Sequence, residues 1–153
     1  MPSETSTSAA WDSQLLAALT AFKNGDFSVR LPTSGQGTTA DQIAETYNAT
    51  VNQINSLVSE SIRIVREVGA QGKYGGQAMV EGLDGRWAIL RDEVNKMGIV
   101  LTCYVRDAGR TLDGLAKGQP AEPMTFPAEM ELQDLKESVN QLVARLGTTQ
   151  TAN

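Results

Sequence analysis

This sequence predicts an all-α protein built from three tandem helix–connector–helix repeats. Three observations carry the prediction. A glycine marker recurs in "NGDF" (Gly25), "QGKY" (Gly72) and "KGQP" (Gly118), at spacings of 47 and 46 residues. An asparagine marker recurs in "YNAT" (Asn48), "VNKM" (Asn95) and "VNQL" (Asn140), at spacings of 47 and 45. Between the markers, apolar residues step by three and four, the signature of one helical face. The repeats are expected at residues 11–57, 58–100 and 101–147, with flexible tails at 1–10 and 148–153.

The elements follow in order. Leu15, Leu19 and Phe22 mark a first helix that ends at Gly25, where glycine accepts the positive φ of a helix terminus. A connector of about 15 residues carries Phe27, Val29 and Leu31. "TTAD" then signals a helix start, with Asp41 as the N-cap before Gln42 and Ile43. Ile43, Tyr47, Val51, Ile54 and Val58 continue the helical step, and Ile62, Val65 and Val68 extend it toward Gly72.

A longer run crosses the next boundary. Trp87, Leu90, Val94, Met97, Leu101, Val105, Ala108, Leu112 and Leu115 step 3-4-3-4-4-3-4-3 with no proline among them. The doubled four is a stutter in the heptad count. The second helix of one repeat is therefore expected to run straight into the first helix of the next. Gly118 ends it, Met124 and Phe126 sit in the third connector, and Leu132, Leu135, Val139, Leu142 and Leu146 form a last heptad seam.

Connector length sets the geometry. An antiparallel helix pair needs only about 2–5 linking residues, whereas about 15 residues span roughly 50 Å when extended. A helix of about 14 residues is only about 21 Å long. Each connector can therefore run back along its helix and restart at the same end, making the two helices of a repeat parallel. Two parallel helices with narrow seams do not cover each other's apolar faces. A homodimer of four parallel helices would do so, with Phe27, Val29, Leu31, Val80, Met124 and Phe126 packed along the helix grooves.

Composition narrows the chemistry. The chain is 41% hydrophobic with a net charge of −5, too apolar and too weakly charged for disorder. Its acidic balance and lack of basic runs argue against nucleic acid as a partner. No apolar stretch reaches the roughly 20 residues of a membrane span, and residues 1–10 lack the basic start of a secretory signal, so a cytoplasmic location is expected. There is one cysteine and no histidine, which excludes an internal disulfide, Cys/His zinc sites and Ser-His-Asp or Cys-His catalysis.

The glycine-rich run "EVGAQGKYGGQAMVEGLDGRW" at 67–87 invites a nucleotide reading and fails it. A phosphate loop needs glycine five residues before Gly72, where Glu67 stands, and Ser or Thr after Lys73, where Tyr74 stands. Asp26 reads as a turn residue, Cys103 as a small half-buried helix residue, and Trp87 as core, with an interface or hinge role second. Arg86, Arg91, Asp92 and Glu93 read as a solvated face. Asn48, Asn95 and Asn140 lie beside the seam, where they are expected to fix register or hydrogen-bond the connector backbone; an exposed helix position is the alternative. No catalytic, cofactor or metal residue is expected.

These features together resemble the HAMP domain, the relay module of histidine kinases, adenylate cyclases and chemoreceptors. In the first repeat the resemblance rests on "GDF" at 25–27, "DQIA" at 41–44 and "YNAT" at 47–50, with Gln42 and Ala44 where the family usually has Glu and Gly. "GKYGGQA" and "GLDGRW" of the second repeat resemble the divergent type in group III hybrid histidine kinases. The third connector, "KGQPAEPMTFPAEMELQ", is only loosely similar. The resemblance covers about residues 11–147. It implies a parallel dimeric array that passes conformational change between sensor and output domains. A non-switching dimeric scaffold is the alternative.

Overall fold

The structure, a computed structural model, describes residues 4–150. It is all-α, with no strand among those residues. The helices are α1 (Glu4–Lys23), α2 (Thr39–Val65), α3 (Gly85–Ala116) and α4 (Met130–Gln150), and a π-helical turn, Arg66–Ala70, follows α2. As expected, α2 and α3 run unbroken past residues 57 and 100. Two boundaries differ from expectation: α1 begins inside the segment expected as a tail, and α4 continues past residue 147. Residues 1–3 and 151–153 of the expected tails lie outside the described residues.

Glycine ends the helices in the way the repeat suggested. Gly25 and Gly118 have φ of +80° and +65°. At each, the glycine N–H reaches back three residues, to Phe22 O and Leu115 O, and the next N–H reaches back five, to Ala21 O and Gly114 O. This is a Schellman cap, which satisfies carbonyls that the helix leaves open. At Gly72 the same cap is one residue wider: Gln71 N–H bonds to Arg66 O and Lys73 N–H to Glu67 O. The spacing explains why. From the most buried first-helix residue to the glycine there are 7, 8 and 7 residues, counting Ala18 to Gly25, Ile64 to Gly72 and Thr111 to Gly118. The π turn takes up the extra residue of the second repeat.

Contacts divide the chain into two bodies: residues up to Arg63 together with Ala78–Arg91, and Ile64–Gln77 together with residues from Asp92 onward. In the first body, Leu15 and Leu19 share a groove with Thr39, Gln42 and Ile43. One turn further along α1, the Phe22 ring meets Tyr47 edge-on, with centroids 6.4 Å apart. The two helices therefore run in the same direction. The connector runs the opposite way, because Arg30 bonds Asn52, Leu31 bonds Asn48 and Ser34 bonds Asp41. Ala18, Leu31 and Ala44 form the core there, with Leu15, Val29 and Tyr47 packed around it. A second cluster joins Leu57, Val80 and Leu83, with Ala88 against it.

The second body repeats the plan. As the connector passes from Ala121 to Phe126, its partners on α3 pass from Gly114 back to Asp107. Its partners on α4 pass from Asn140 back to Lys136. Both helices oppose the connector and so run parallel to each other. The core is Tyr104, Met124 and Val139, flanked by Ala108, Phe126, Ala128 and Leu132. A Cβ on Gly114 would lie 3.3 Å from the Ala121 Cβ, so glycine permits this close approach.

Candidate functional site: an uncovered apolar stripe and its connector clamps

Each connector is a strand of backbone lying on helices, with N–H and C=O groups that need partners. Two of the repeating asparagines supply them. Asn48 Oδ1 accepts the Leu31 N–H at 2.9 Å, and its Nδ2 donates to Leu31 O at 2.9 Å. Asn140 repeats this on Met124, at 2.7 and 3.1 Å. A side-chain amide thus acts as a second peptide group, pairing with both backbone groups of one residue. That residue is buried in each case: Leu31 is 4% and Met124 2% exposed. Of the two roles expected, Asn48 and Asn140 take the hydrogen bonding of the connector backbone. Asn95 is half-buried on α3.

Carboxylates hold the connectors as well, and sequence reading did not find two of them. Glu60 Oε2 accepts the Met79 N–H at 3.1 Å and pairs with Arg63 at 2.7 Å. Asp107 Oδ2 accepts the N–H groups of Thr125 and Phe126, both at 2.8 Å, while its Oδ1 takes Arg110 at 2.6 Å. Their only sequence signal is position. Glu60 and Asp107 each stand four residues before a buried first-helix residue, Ile64 or Thr111. Seen one at a time, each looks like a solvated helix charge.

Asp41 is buried and differs from its expected role. Thr38 is the N-cap: its Oγ1 accepts the Asp41 N–H, and the Asp41 carboxylate reaches back to the Thr38 N–H. This is a capping box closed from the third helical position. Asp41 also accepts from Ser34 N–H, Ser34 Oγ and Gln36 N–H. The displacement has a simple reason. α2 starts at Thr39, and the longer reach from Asp41 lets one carboxylate serve both the cap and the connector.

These contacts set the acid response. The Asp41 carboxyl lies well below the usual range because Ser34 N–H and hydroxyl, then Thr38, bond its charged form. Arg63, followed by the Met79 N–H, lowers the Glu60 carboxyl from 4.5 to about 2. At Asp107 burial opposes the charge, but the Phe126 and Thr125 N–H groups and Arg110 outweigh it and lower the carboxyl. Above pH 4.5 Glu60 is mostly ionised in both folded and unfolded chains, and its contribution to stability is nearly complete. As pH falls from 4.5 toward about 2, the unfolded chain binds the proton first, so stability declines. Thermal midpoints followed by circular dichroism should fall through this window, and Glu60→Gln should fall less steeply. Equal slopes for the two proteins would show that the Glu60 clamp adds nothing.

Of the apolar residues expected along the helical faces, Val51, Ile54 and Val139 are buried, but most are not the core of the chain. In the first body Leu19, Ile43, Val58, Trp87 and Leu90 are each 38–48% exposed. In the second, Met97, Val105, Leu112, Leu135, Leu142 and Leu146 are each 41–49% exposed. Leu15, Phe22, Phe27, Tyr47, Val94, Leu101 and Leu115 are half-buried, and Ile54 is buried. Trp87, read as core with an interface or hinge role second, is 46% exposed in the single chain. The physical reason is which face the connector covers. It lies over Ala44 and Asn48 and leaves Ile43 on the open side, where it lines a groove with Leu15, Leu19 and Tyr47. Arg91 also departs from expectation. It is half-buried and donates to Val80 O at 2.9 Å, holding the second connector.

The remaining sequence expectations fall as follows. Gly72 caps at φ +63°. Asp26 accepts from Ser28 N–H and Oγ in a turn. Cys103 is a half-buried thiol. Phe27 packs against Phe22 with its ring tilted by 60° and centroids 5.6 Å apart. Val29, Leu31, Val80, Met124 and Phe126 pack against the helices as expected. Among the described residues no helix is long and apolar enough to cross a membrane.

The site is thus a stripe of half-exposed apolar side chains in each body, carried by parallel helices whose other side is sealed by a clamped connector. No family model matches the chain, and no solved structure matches it.

Proposed function

We propose that the chain is a parallel homodimer of HAMP-like repeats that relays conformational change between a sensor and an output domain in the cytoplasm. One observation carries the reading: heptad-spaced leucines, valines and aromatics stand half-exposed along helices that are parallel within each body. Apolar residues that recur at one helical face while polar residues fill the rest mark a surface that is covered in the working protein. A second copy supplies the matching stripe, and four parallel helices then share one core. The seam residues and the connector apolars carry the signal. Repacking of that core, by rotation or tilt of continuous helices, gives two states of similar energy that an input can bias. The chain contributes no chemistry of its own in this reading and takes no cofactor.

The test joins solution mass to distance measurement. Light scattering should give twice the 16.4 kDa chain mass. Spin labels on Leu19→Cys alone, in a Cys103→Ser background, should lie close to each other across the axis. Labels on Leu142→Cys alone should do the same. An antiparallel dimer makes both pairs distant, and a monomer gives no pair at all; either result ends the reading. Relay is separated from a rigid scaffold by adding Leu19→Ala to the Leu142-labelled protein. A relay changes the distance distribution at Leu142, and a rod leaves it unchanged.

A further inference from the structure

The three repeats can be laid over one another by their buried residues. On the first helix these are Ala18, Ile64 and Thr111; in the connector they are Leu31, Ala78 and Met124. Four residues before the first set stand Gln14, Glu60 and Asp107. Directly after the second set stand Pro32, Met79 and Thr125. In the second and third repeats these two positions meet: Glu60 accepts the Met79 N–H, and Asp107 accepts the Thr125 and Phe126 N–H groups. The first repeat lacks the charged acceptor and the first of the N–H donors. Gln14 has no carboxylate, and Pro32 has no N–H to give.

What replaces the clamp ties the first connector to the other helix. Arg30 bonds Asn52, Leu31 pairs with Asn48, and Ser34, Gln36 and Thr38 bond Asp41, all on α2. Among the described residues, hydrogen bonds from residues 28–38 reach α2 and none reaches α1. The third connector is bonded to both of its helices. Asp107 and Thr111 hold it to α3, Asn140 and Lys136 hold it to α4, and the Tyr104 hydroxyl bonds Leu132 O directly. Against α1 there remain apolar and ring contacts, of Leu15 and Ala18 with Val29 and Leu31 and of Phe22 with Phe27 and Tyr47, and one bond from the Tyr47 hydroxyl to Ala18 O at 2.8 Å.

We propose that α1 is the movable helix of the chain: the first connector and α2 form one bonded piece against which α1 shifts by sliding apolar contacts. In the third repeat, α3, connector and α4 move as a unit. Apolar contacts are non-directional and tolerate a small rotation, whereas a charged hydrogen bond to two backbone N–H groups is lost when the helix turns. The inference itself concerns packing within one chain and does not rest on the dimer.

Hydrogen exchange read by mass spectrometry tests it, alongside light scattering on the same sample. Wild-type amides of Ala17–Phe22 should exchange at least about tenfold faster than those of Val105–Leu112, the factor expected from one charge-assisted hydrogen bond. The double substitution Gln14→Glu, Pro32→Ala supplies the charged acceptor and that N–H donor and should slow exchange across Ala17–Phe22 by about tenfold. Asp107→Ala should raise exchange at Thr125 and Phe126 and across Val105–Leu112. Equal wild-type rates in the two helices would overturn the proposal. So would a folded double variant whose α1 exchange is unchanged. If the double variant does not fold, the wild-type comparison and Asp107→Ala decide. A monomeric mass would remove the dimer reading and leave this comparison standing.

Discussion

Leu112→Asp should convert the protein from dimer to monomer at micromolar concentration. Leu112 lies in the exposed stripe of α3, 45% open in the single chain. Burying a leucine side chain is worth about 1.5–3 kcal/mol. In a symmetric dimer the substitution acts in both copies, so about 3 kcal/mol or more of association is lost, or at least roughly a hundredfold in Kd. Two aspartates brought near one axis add repulsion to that loss. Ile99→Asp is the matched control. Ile99 is equally exposed, at 43%, but sits on nearly the opposite side of the same helix by the 3.6-residue turn. Light scattering should show a halved mass for the first variant and an unchanged mass for the second. If both dissociate, or neither does, the stripe is not the interface.

Asn140→Ala should cost about 2–4 kcal/mol of folding stability, because two hydrogen bonds disappear and the buried Met124 N–H and C=O are left without partners. Asn140→Asp is the sharper probe. Its oxygen still accepts the Met124 N–H, but the second oxygen now faces Met124 O with no proton to give. It should therefore lose most of the stability that alanine loses, although it is nearly the same shape. Thermal and urea denaturation of the three proteins give the comparison. Asn48→Asp at Leu31 should behave the same way. If aspartate matches asparagine in stability at neutral pH, the donor half of the clamp carries no weight.

Much of the fold was legible because its signals are local. The apolar step from Trp87 to Leu115 marked one long helix, and α3 spans it unbroken. Gly25, Gly72 and Gly118 marked helix ends, since a positive φ is a property of one residue and its neighbours. The asparagines stood out through their period, and two of them clamp connectors. The clamps from Glu60 and Asp107 were not legible. A single glutamate on a helix looks the same whether it faces water or a backbone N–H that lies 19 residues away in sequence. Asp41 was placed in the right turn with the wrong job, because Thr38 beside it also caps well and only the path of the connector decides between them.

The sequence by itself determined the helices, their glycine ends, the three-fold period and the apolar character of each face. Those are set by residue type and by the 3.6-residue turn, which act over a few neighbours. Only the tertiary structure decided which apolar face the chain covers for itself. The first connector lies over Ala44 and Asn48, and Ile43 stays open, as do Leu90 and Leu112 in the later repeats. It also decided that the extra residue of the second repeat becomes a π turn at Arg66–Ala70. The reason is common to both: where a connector lies depends on contacts between residues far apart in sequence, which no short window of the sequence contains.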